Sequence, residues 1–384
     1  MLLSMGGMQM QMFTRALHAY DMTASATVTA LVTMGWAPTM LLFSLYAGVL
    51  GERMERRTLI QISQVGNSII PAVIAVLTLT HTVHWTQLLG ASLIQGFMFA
   101  TQMPARQAVI PTLVGKQRVS NALALNATAM GIMNVAGQAF GGVLYDTASP
   151  GGSYIVAASL CAMSVWFTAR LPKMYPEKKP GARRPVLAEV GDGLKYIAQT
   201  PLVRMLLVQN LVVVLLAFPF RMLVQVFAKE VYGSSAWQIG VLGALAGLGA
   251  VMGALFMAGL RPGQPRGAVL MGTAVVLGCA LVLAAGLPWY GVGLFAMVLV
   301  GLGESGRMAL GQSLVIESTA DQFRSRVTSV LMMTWGLMPL AVLPLGAITD
   351  ALDGPRIPIA VMGGTLLVAC TYFLIKHTPV RRLT

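Results

Sequence analysis

Apolar runs closed by charged or turn-forming residues recur along this 384-residue chain, near 1–20, 26–50, 58–79, 85–104, 120–145 and 153–170. A second series follows near 202–228, 236–260, 268–287, 291–312, 326–349 and 357–376. Most of these runs reach the roughly 20 residues that a helix needs to cross a bilayer core. The pattern predicts an all-α integral membrane protein of twelve transmembrane helices in two six-helix bundles, residues 1–171 and 201–384. Between them, residues 172–200 form the one long polar segment, rich in Pro, Lys and Arg, and are read as a cytoplasmic linker. Within it Leu187, Val190, Leu194 and Ile197 recur at helical spacing, with Glu189, Asp192 and Lys195 off that stripe. Two readings stand for it: an amphipathic helix lying on the membrane surface, or a solvated linker.

A repeat supports the two bundles. One offset of 205 residues pairs Gly48 with Gly253, Arg56 with Arg261, Gln107 with Gln312, Ser120 with Ser325, Gly131 with Gly336 and Gly141 with Gly346. Parallel six-helix repeats make the bundles pseudo-symmetric and mark a transporter architecture. The same register places the partner of Leu202 before Met1, so the first span reads as slightly short. That span is not read as a cleavable signal, because Gln9, Gln11 and Arg15 fall where an apolar core would sit.

Composition sharpens the class. Hydrophobic residues make up 56% and charged ones 10%, with a mean hydropathy of +0.73, which excludes an ordinary soluble domain and a disordered chain. The net charge of +13 is a matter of sidedness. Arg53, Arg56, Arg57, Lys116, Arg118, the linker cations, Arg261, Arg266, Arg324 and Arg326 occupy alternate connections, and the others are nearly bare of Lys and Arg. By the positive-inside rule both termini are cytoplasmic, and no nucleic-acid partner is expected. The three cysteines sit in apolar runs, and His81 and His84 have no third ligand nearby, so no metal or cofactor is expected.

The connection after the second span, from Gly48 through Glu52, Arg53, Arg56 and Arg57, resembles the G-x-x-x-D-R-x-G-R-R loop of the major facilitator superfamily. Glu55 stands where that loop has its second glycine. The stretches MQMFTRALHAYDMTAS, MPARQAVIPTLVGKQRVSNALALN and FRSRVTSVLMMTWGLMPL resemble the branch of siderophore exporters and drug-efflux permeases. The resemblance implies the major facilitator fold and alternating access in a bacterial inner membrane, with the basic loop acting in conformational gating. It implies export of a small amphipathic molecule, siderophore or drug-like, by a monomer in the lipid bilayer, with protons as the coupling ion. Two antiporter motifs are incomplete. Ser92 stands where an arginine would precede Gln95-Gly96, and Met133 and Gln138 replace a glycine and the proline of the row carrying Gly137, Gly141 and Gly142. Proton antiport is therefore one of two open readings of the energy source.

Ionisable groups inside spans are costly and mark pathways or partners. Arg15, one turn past Gln11, is a candidate for cavity or gate, or for a structural hydrogen bond. Glu304 and Arg307, three apart in the tenth span, are either a proton site or a structural pair neutralising itself. Arg221 follows Phe218-Pro219-Phe220, where proline can create a flexible point. Arg106 closes the fourth span and reads as an inner gate, and Trp335 is a candidate cavity lining. The 26 methionines suit a surface that repacks around varied ligands, or are simple filler. Import of a polar metabolite is the alternative within transport. A nontransporting receptor or an enzyme is the alternative outside it, although no convergent catalytic set is visible in the spans, and the protein is not expected to be an enzyme.

Overall fold

A computed structural model describes residues 2–43, 54–114, 119–170, 172, 186–260 and 264–376. Those residues are nearly all helical. Helix α1 spans Leu2–Thr23, α2 Ala26–Phe43, α3 Arg56–Leu79 and α4 Trp85–Val114. The run Val119–Ala169 is divided into α5 and α6 by non-helical dihedrals at Ala148 and Ser149, after which Pro150 restarts the helix. Then come α7 Val186–Gln199, α8 Pro201–Met222, α9 Val224–Tyr232, α10 Ala236–Ala258, α11 Arg266–Gly286 and α12 Tyr290–Glu317. The series closes with α13 Arg324–Gly336, α14 Pro339–Ala351 and α15 Arg356–Lys376.

Local chemistry sets the boundaries. Ser25 starts α2 by accepting the Val28 amide on its Oγ at 3.2 Å, and Pro201 opens α8 at a position where no amide is needed. Gly233 ends α9 in the left-handed conformation, φ +61°. The spans expected at 202–228 and 326–349 are each broken. The first divides at Leu223, four residues after Pro219, and the second between Gly336 and Pro339, a proline that cannot continue the amide ladder. Helices α4 and α12 run on to Val114 and Glu317, beyond the expected ends at 104 and 312.

Among the described residues, eight helical stretches, with α5 and α6 joined as one, are long and apolar enough to cross a membrane. The surface has the inverted polarity of a membrane protein. Leu42, Leu125, Leu255, Leu340 and Val368 are among the most exposed side chains, while Gln11, Arg15, Gln64, Asn67, Gln95, Gln102 and Gln209 are buried. In water that arrangement would be upside down, but in lipid it places apolar surface against acyl chains and polar groups inside.

By their contacts the residues group into two compact units: Met1–Pro180 with Ser234–Ala244, and Gly181–Gly233 with Leu245–Thr384. In the first, α1 packs on α5 and α6, and α3 on α4 and the α5–α6 run. A core of Ala19, Val32, Ile70, Ile74, Leu88 and Tyr154 ties α1, α2, α3, α4 and α6 together. In the second, α11 packs on α12 and α15, with a core through Leu206, Leu270, Leu310, Leu314, Val327 and Leu331. Helix α7 docks on α13 in this unit. Gly193 lies against the Arg326 backbone, Tyr196 stacks on Phe323 at 4.3 Å and accepts the Ala320 amide at 3.1 Å, and Ile197 is buried. Leu194 points away and is 52% exposed. The docking face is thus Gly193, Tyr196 and Ile197, at i, i+3 and i+4, and the stripe foreseen for this helix is divided between core and exterior.

Candidate functional site

Each unit holds polar side chains inside an otherwise apolar interior. In the second unit α8 brings Gln209, Asn210 and Arg221, and α12 brings Glu304 and Arg307. Glu304 accepts from Arg221 Nη1 at 2.6 Å, with the two side chains only 18% and 27% exposed. Arg307 turns from its own helix neighbour and donates to Asn210 Oδ1 at 2.9 Å. The partner of Glu304 is therefore supplied across helices, not by the residue three positions on. The exchange is physically sensible: two cations share one carboxylate, and the amide of Asn210 takes up one guanidinium's hydrogen bond while leaving the carboxylate to the other.

Two crevices open onto these groups, each with a cavity volume of about 10 Å³. Leu206, Gln209, Asn210 and Arg307 line one, and Phe218, Arg221, Leu277 and Glu304 line the other. Each has room for about one water molecule. In this conformation they suit water or a small group, not a whole amphiphile. The Gln209 side-chain oxygen is buried without a partner beside them.

In the first unit α1 carries Gln11, Arg15 and His18 along one face, and all three are buried. Arg15 Nη2 donates to Gln95 Oε1 from α4, and among the described residues no carboxylate pairs with this guanidinium. The Nε2 atoms of Gln11 and Gln95 are buried without partners. Arg106 is buried near the far end of α4, beside the small core of Leu59, Ile60, Ala105 and Val109.

The glycine row on α5 has two destinations. Gly137 and Gly141 let α1 approach: a Cβ at Gly137 would stand 2.8 Å from Gln9 Cβ and 2.9 Å from the Gly6 carbonyl, and one at Gly141 would stand 3.2 Å from Phe13. Gly142 instead abuts the Ala236 carbonyl, where the first turn of α10 belongs to the same unit. Nearby, Asp146 accepts the Ala236 and Trp237 amides at 3.2 and 2.8 Å, capping α10. Gln138, in the place of the antiporter proline, donates to Asn134 at 2.6 Å, and its backbone carbonyl would sit 2.8 Å from a Cβ on Gly240.

Gly48, Glu52 and Arg53 lie outside the described residues. Arg56 and Arg57 open α3, and Glu55 just before them accepts the Thr58 hydroxyl at 2.9 Å. The glycine-to-glutamate departure thus places a carboxylate at a helix N-terminus, where the dipole favours it. Trp335 lies in α13, with its side chain outside the described set. Sequence reasoning passed over Gln209, Asn210, Asp146 and the pairing of Gln95 with Arg15. Adjacent amides inside the eighth helix's apolar run were a usable signal for the first two. It also missed that Gly96 and Gly301 are repeat partners at the same offset of 205, and that both press on a neighbouring backbone carbonyl, of Trp36 and of Ala246.

Helices packed through glycine, apolar outer surfaces and buried charge inside each of two compact units suit a membrane transporter, and the transmembrane secretion effector family matches residues 1–383. The chain belongs to that family. It is accordingly a multi-pass membrane transporter of the major facilitator superfamily, acting on small molecules and not as an enzyme. The multidrug efflux pump Tap of Mycolicibacterium fortuitum is 25% identical, covering 85% of this chain and 82% of its own. The enterobactin exporter EntS of Escherichia coli O1:K1 / APEC is 25% identical, covering 84% and 74%. The crystal structure of a point mutant of the nucleoside transporter NupG has a TM-score of 0.79 at 12% identity over 97% of this chain and 98% of that one, which fixes the fold as the major facilitator fold.

Proposed function

We propose that the protein exports small amphipathic molecules, siderophore or drug-like, across the bacterial inner membrane by alternating access coupled to protons. It works as a monomer with both termini in the cytoplasm, residues 1–171 and 201–384 forming the two bundles and 172–200 the linker between them. The observation that carries the reading is Glu304: a carboxylate inside an apolar helix, held by a guanidinium on another helix beside an open crevice. Intramembrane carboxylates of this kind are proton carriers in pumps. A proton taken up by Glu304 removes the charge that Arg221 balances, and the freed guanidinium favours a different arrangement of α8 against α12. That is a two-state element which a proton and a substrate can both bias. Arg307 and Asn210 keep the second cation in place throughout. The names of relatives, an efflux pump and an enterobactin exporter, support the export direction and the amphipathic cargo.

Arg106 and the basic loop at Gly48, Glu52, Arg53, Arg56 and Arg57 act in gating at the cytoplasmic side, and Gly137, Gly141 and Gly142 supply close-packed surfaces over which helices rearrange. Gln11, Arg15, Arg221, Arg307 and Trp335 line the substrate path. The test is efflux of a fluorescent amphipathic dye from whole cells, with and without a proton uncoupler, for the wild type, Glu304→Asp and Glu304→Gln. Uncoupler-sensitive efflux kept by the aspartate and lost by the folded, inserted glutamine variant is expected. Efflux equal in all three, at every pH, would remove the proton site. A second reading, import of a polar metabolite, draws on the buried amides of Gln64, Asn67, Gln102 and Gln209. Uptake of dye into cells in place of efflux would favour it.

A further inference from the structure

The two units treat their buried cations differently. In the second unit Glu304 answers Arg221 with a full negative charge at 2.6 Å. In the first, Arg15 is 3% exposed and donates to the neutral carbonyl oxygen of Gln95, with the buried phenol of Tyr154 close by and, among the described residues, no carboxylate paired with it. A guanidinium carries five N–H donors and is always charged, and one amide oxygen answers neither the charge nor the donors. Around it stand more donors without acceptors. Gln11 Nε2, one turn before Arg15 on the same face of α1, is buried and unpartnered, and so is Gln95 Nε2. One turn along α4 from Gln95, Phe99 packs edge-on against Trp36 at 6.2 Å, and the indole N–H of Trp36 is also buried without a partner. The amide and indole groups named here are all donors, the hydroxyls of Thr14 and Tyr154 and the ring nitrogen of His18, also buried without partners, can donate or accept, and the charge of Arg15 is positive.

From this we infer that Arg15, with Gln11 and Gln95, is the recognition site for an anionic group, a carboxylate or phenolate, on an aromatic or otherwise apolar body. The anion accepts from the guanidinium in the forked geometry that suits carboxylates and takes the two amide N–H donors. The apolar body lies toward Trp36 and Phe99. As the structure stands Arg15 rests on Gln95, and the anion replaces that weak acceptor. This rests on the transport reading above and adds the charge of the cargo. It predicts that the transporter prefers organic anions to cations of the same shape.

The experiment measures equilibrium binding to the full-length protein in lipid nanodiscs, with protein-free discs as blank. The probes are fluorescein, an anion, and tetramethylrhodamine methyl ester, a cation on the same xanthene frame. The wild type is expected to bind the anion at least about tenfold more tightly, a difference of roughly 1.4 kcal/mol. Arg15→Gln should bring the two probes to parity, Arg15→Lys should keep part of the preference, and Gln11→Leu should weaken the anion alone. Equal or cation-favouring binding in the wild type, failure to bind fluorescein, or a preference that survives Arg15→Gln would each overturn the proposal. If Arg15→Gln does not fold, the wild-type comparison and Gln11→Leu still decide. Binding needs no gradient and has no direction, so failure of the export reading leaves this result standing, and dye efflux without anion preference overturns the anion site alone.

Discussion

Removing the carboxylate of Glu304 should cost more than removing its partner Arg221, and the asymmetry follows from what each deletion leaves behind. At 2.6 Å and an effective dielectric of about 20, the gross attraction of the pair is on the order of 6 kcal/mol. Desolvation offsets most of that, and breaking a buried pair from one side costs roughly 3–5 kcal/mol. Side-chain exposures of 27% and 18% place this pair at the lower end. Glu304→Gln leaves Arg221 and Arg307 as two neighbouring cations with no anion, a loss of about 3 kcal/mol. Arg221→Gln leaves Glu304 with Arg307 one turn away on the same helix, a substitute partner that limits the loss to about 1–2 kcal/mol. The double variant should lose less than the sum, giving a coupling of about 2 kcal/mol. Reversible unfolding of the purified protein in mixed micelles, for the two single variants and the double, reads all three values. A coupling below about 0.5 kcal/mol, or a larger loss in Arg221→Gln than in Glu304→Gln, would refute the reasoning.

Glycine packing gives a paired prediction. A Cβ on Gly301 would overlap the Ala246 carbonyl and stand 2.7 Å from the Ala250 amide, so Gly301→Ala should destabilise by about 1–3 kcal/mol. Gly272, with nothing within 4 Å of its added Cβ, should tolerate alanine or gain up to about 1 kcal/mol from helix propensity. The same unfolding assay compares them, and equal effects would contradict the packing account. At the start of α10, Asp146→Ala removes the acceptor for two amides, and a lost cap of about 1 kcal/mol should speed hydrogen exchange several-fold at Ala236 and Trp237. Asp146→Asn should retain most of the protection, and unchanged exchange in the alanine variant would show that the cap does not hold the helix end. In the linker helix, Tyr196→Ala should loosen α7 from α13 by removing the stack on Phe323 and the bond to Ala320. Faster proteolysis within residues 186–199 would report it, and an unchanged rate would speak against docking.

The helical membrane fold was legible because lipid solvation demands apolar runs of fixed length, and the two-fold offset survives in glycines whose size sets helix spacing. What was not legible were breaks and partners. Pro219 and Pro339 were visible, yet whether a proline bends a span or divides it depends on the packing of its neighbours, and both spans were divided. Glu304 and Arg307 stood at pairing distance along one helix, but Asn210, from a segment almost a hundred positions away, holds the arginine and leaves Arg221 for the acid. Arg15 was singled out as an intramembrane charge; its acceptor Gln95 is eighty positions off and was seen only as part of an incomplete motif. Asp146 was passed over because a cap is defined by the amides that it meets, and those lie ninety positions on. Periodicity reports a residue's own helix face, and cross-helix pairing reports the fold.

The most direct test of proton-coupled export uses inside-out membrane vesicles or oriented proteoliposomes, with a gradient imposed in either direction and a fluorescent amphiphile supplied outside. Proton-coupled export through Glu304 predicts accumulation in the lumen only when the lumen is acidic, abolished by an uncoupler and by Glu304→Gln. Accumulation that is indifferent to the gradient, or that occurs only with an alkaline lumen, would contradict it.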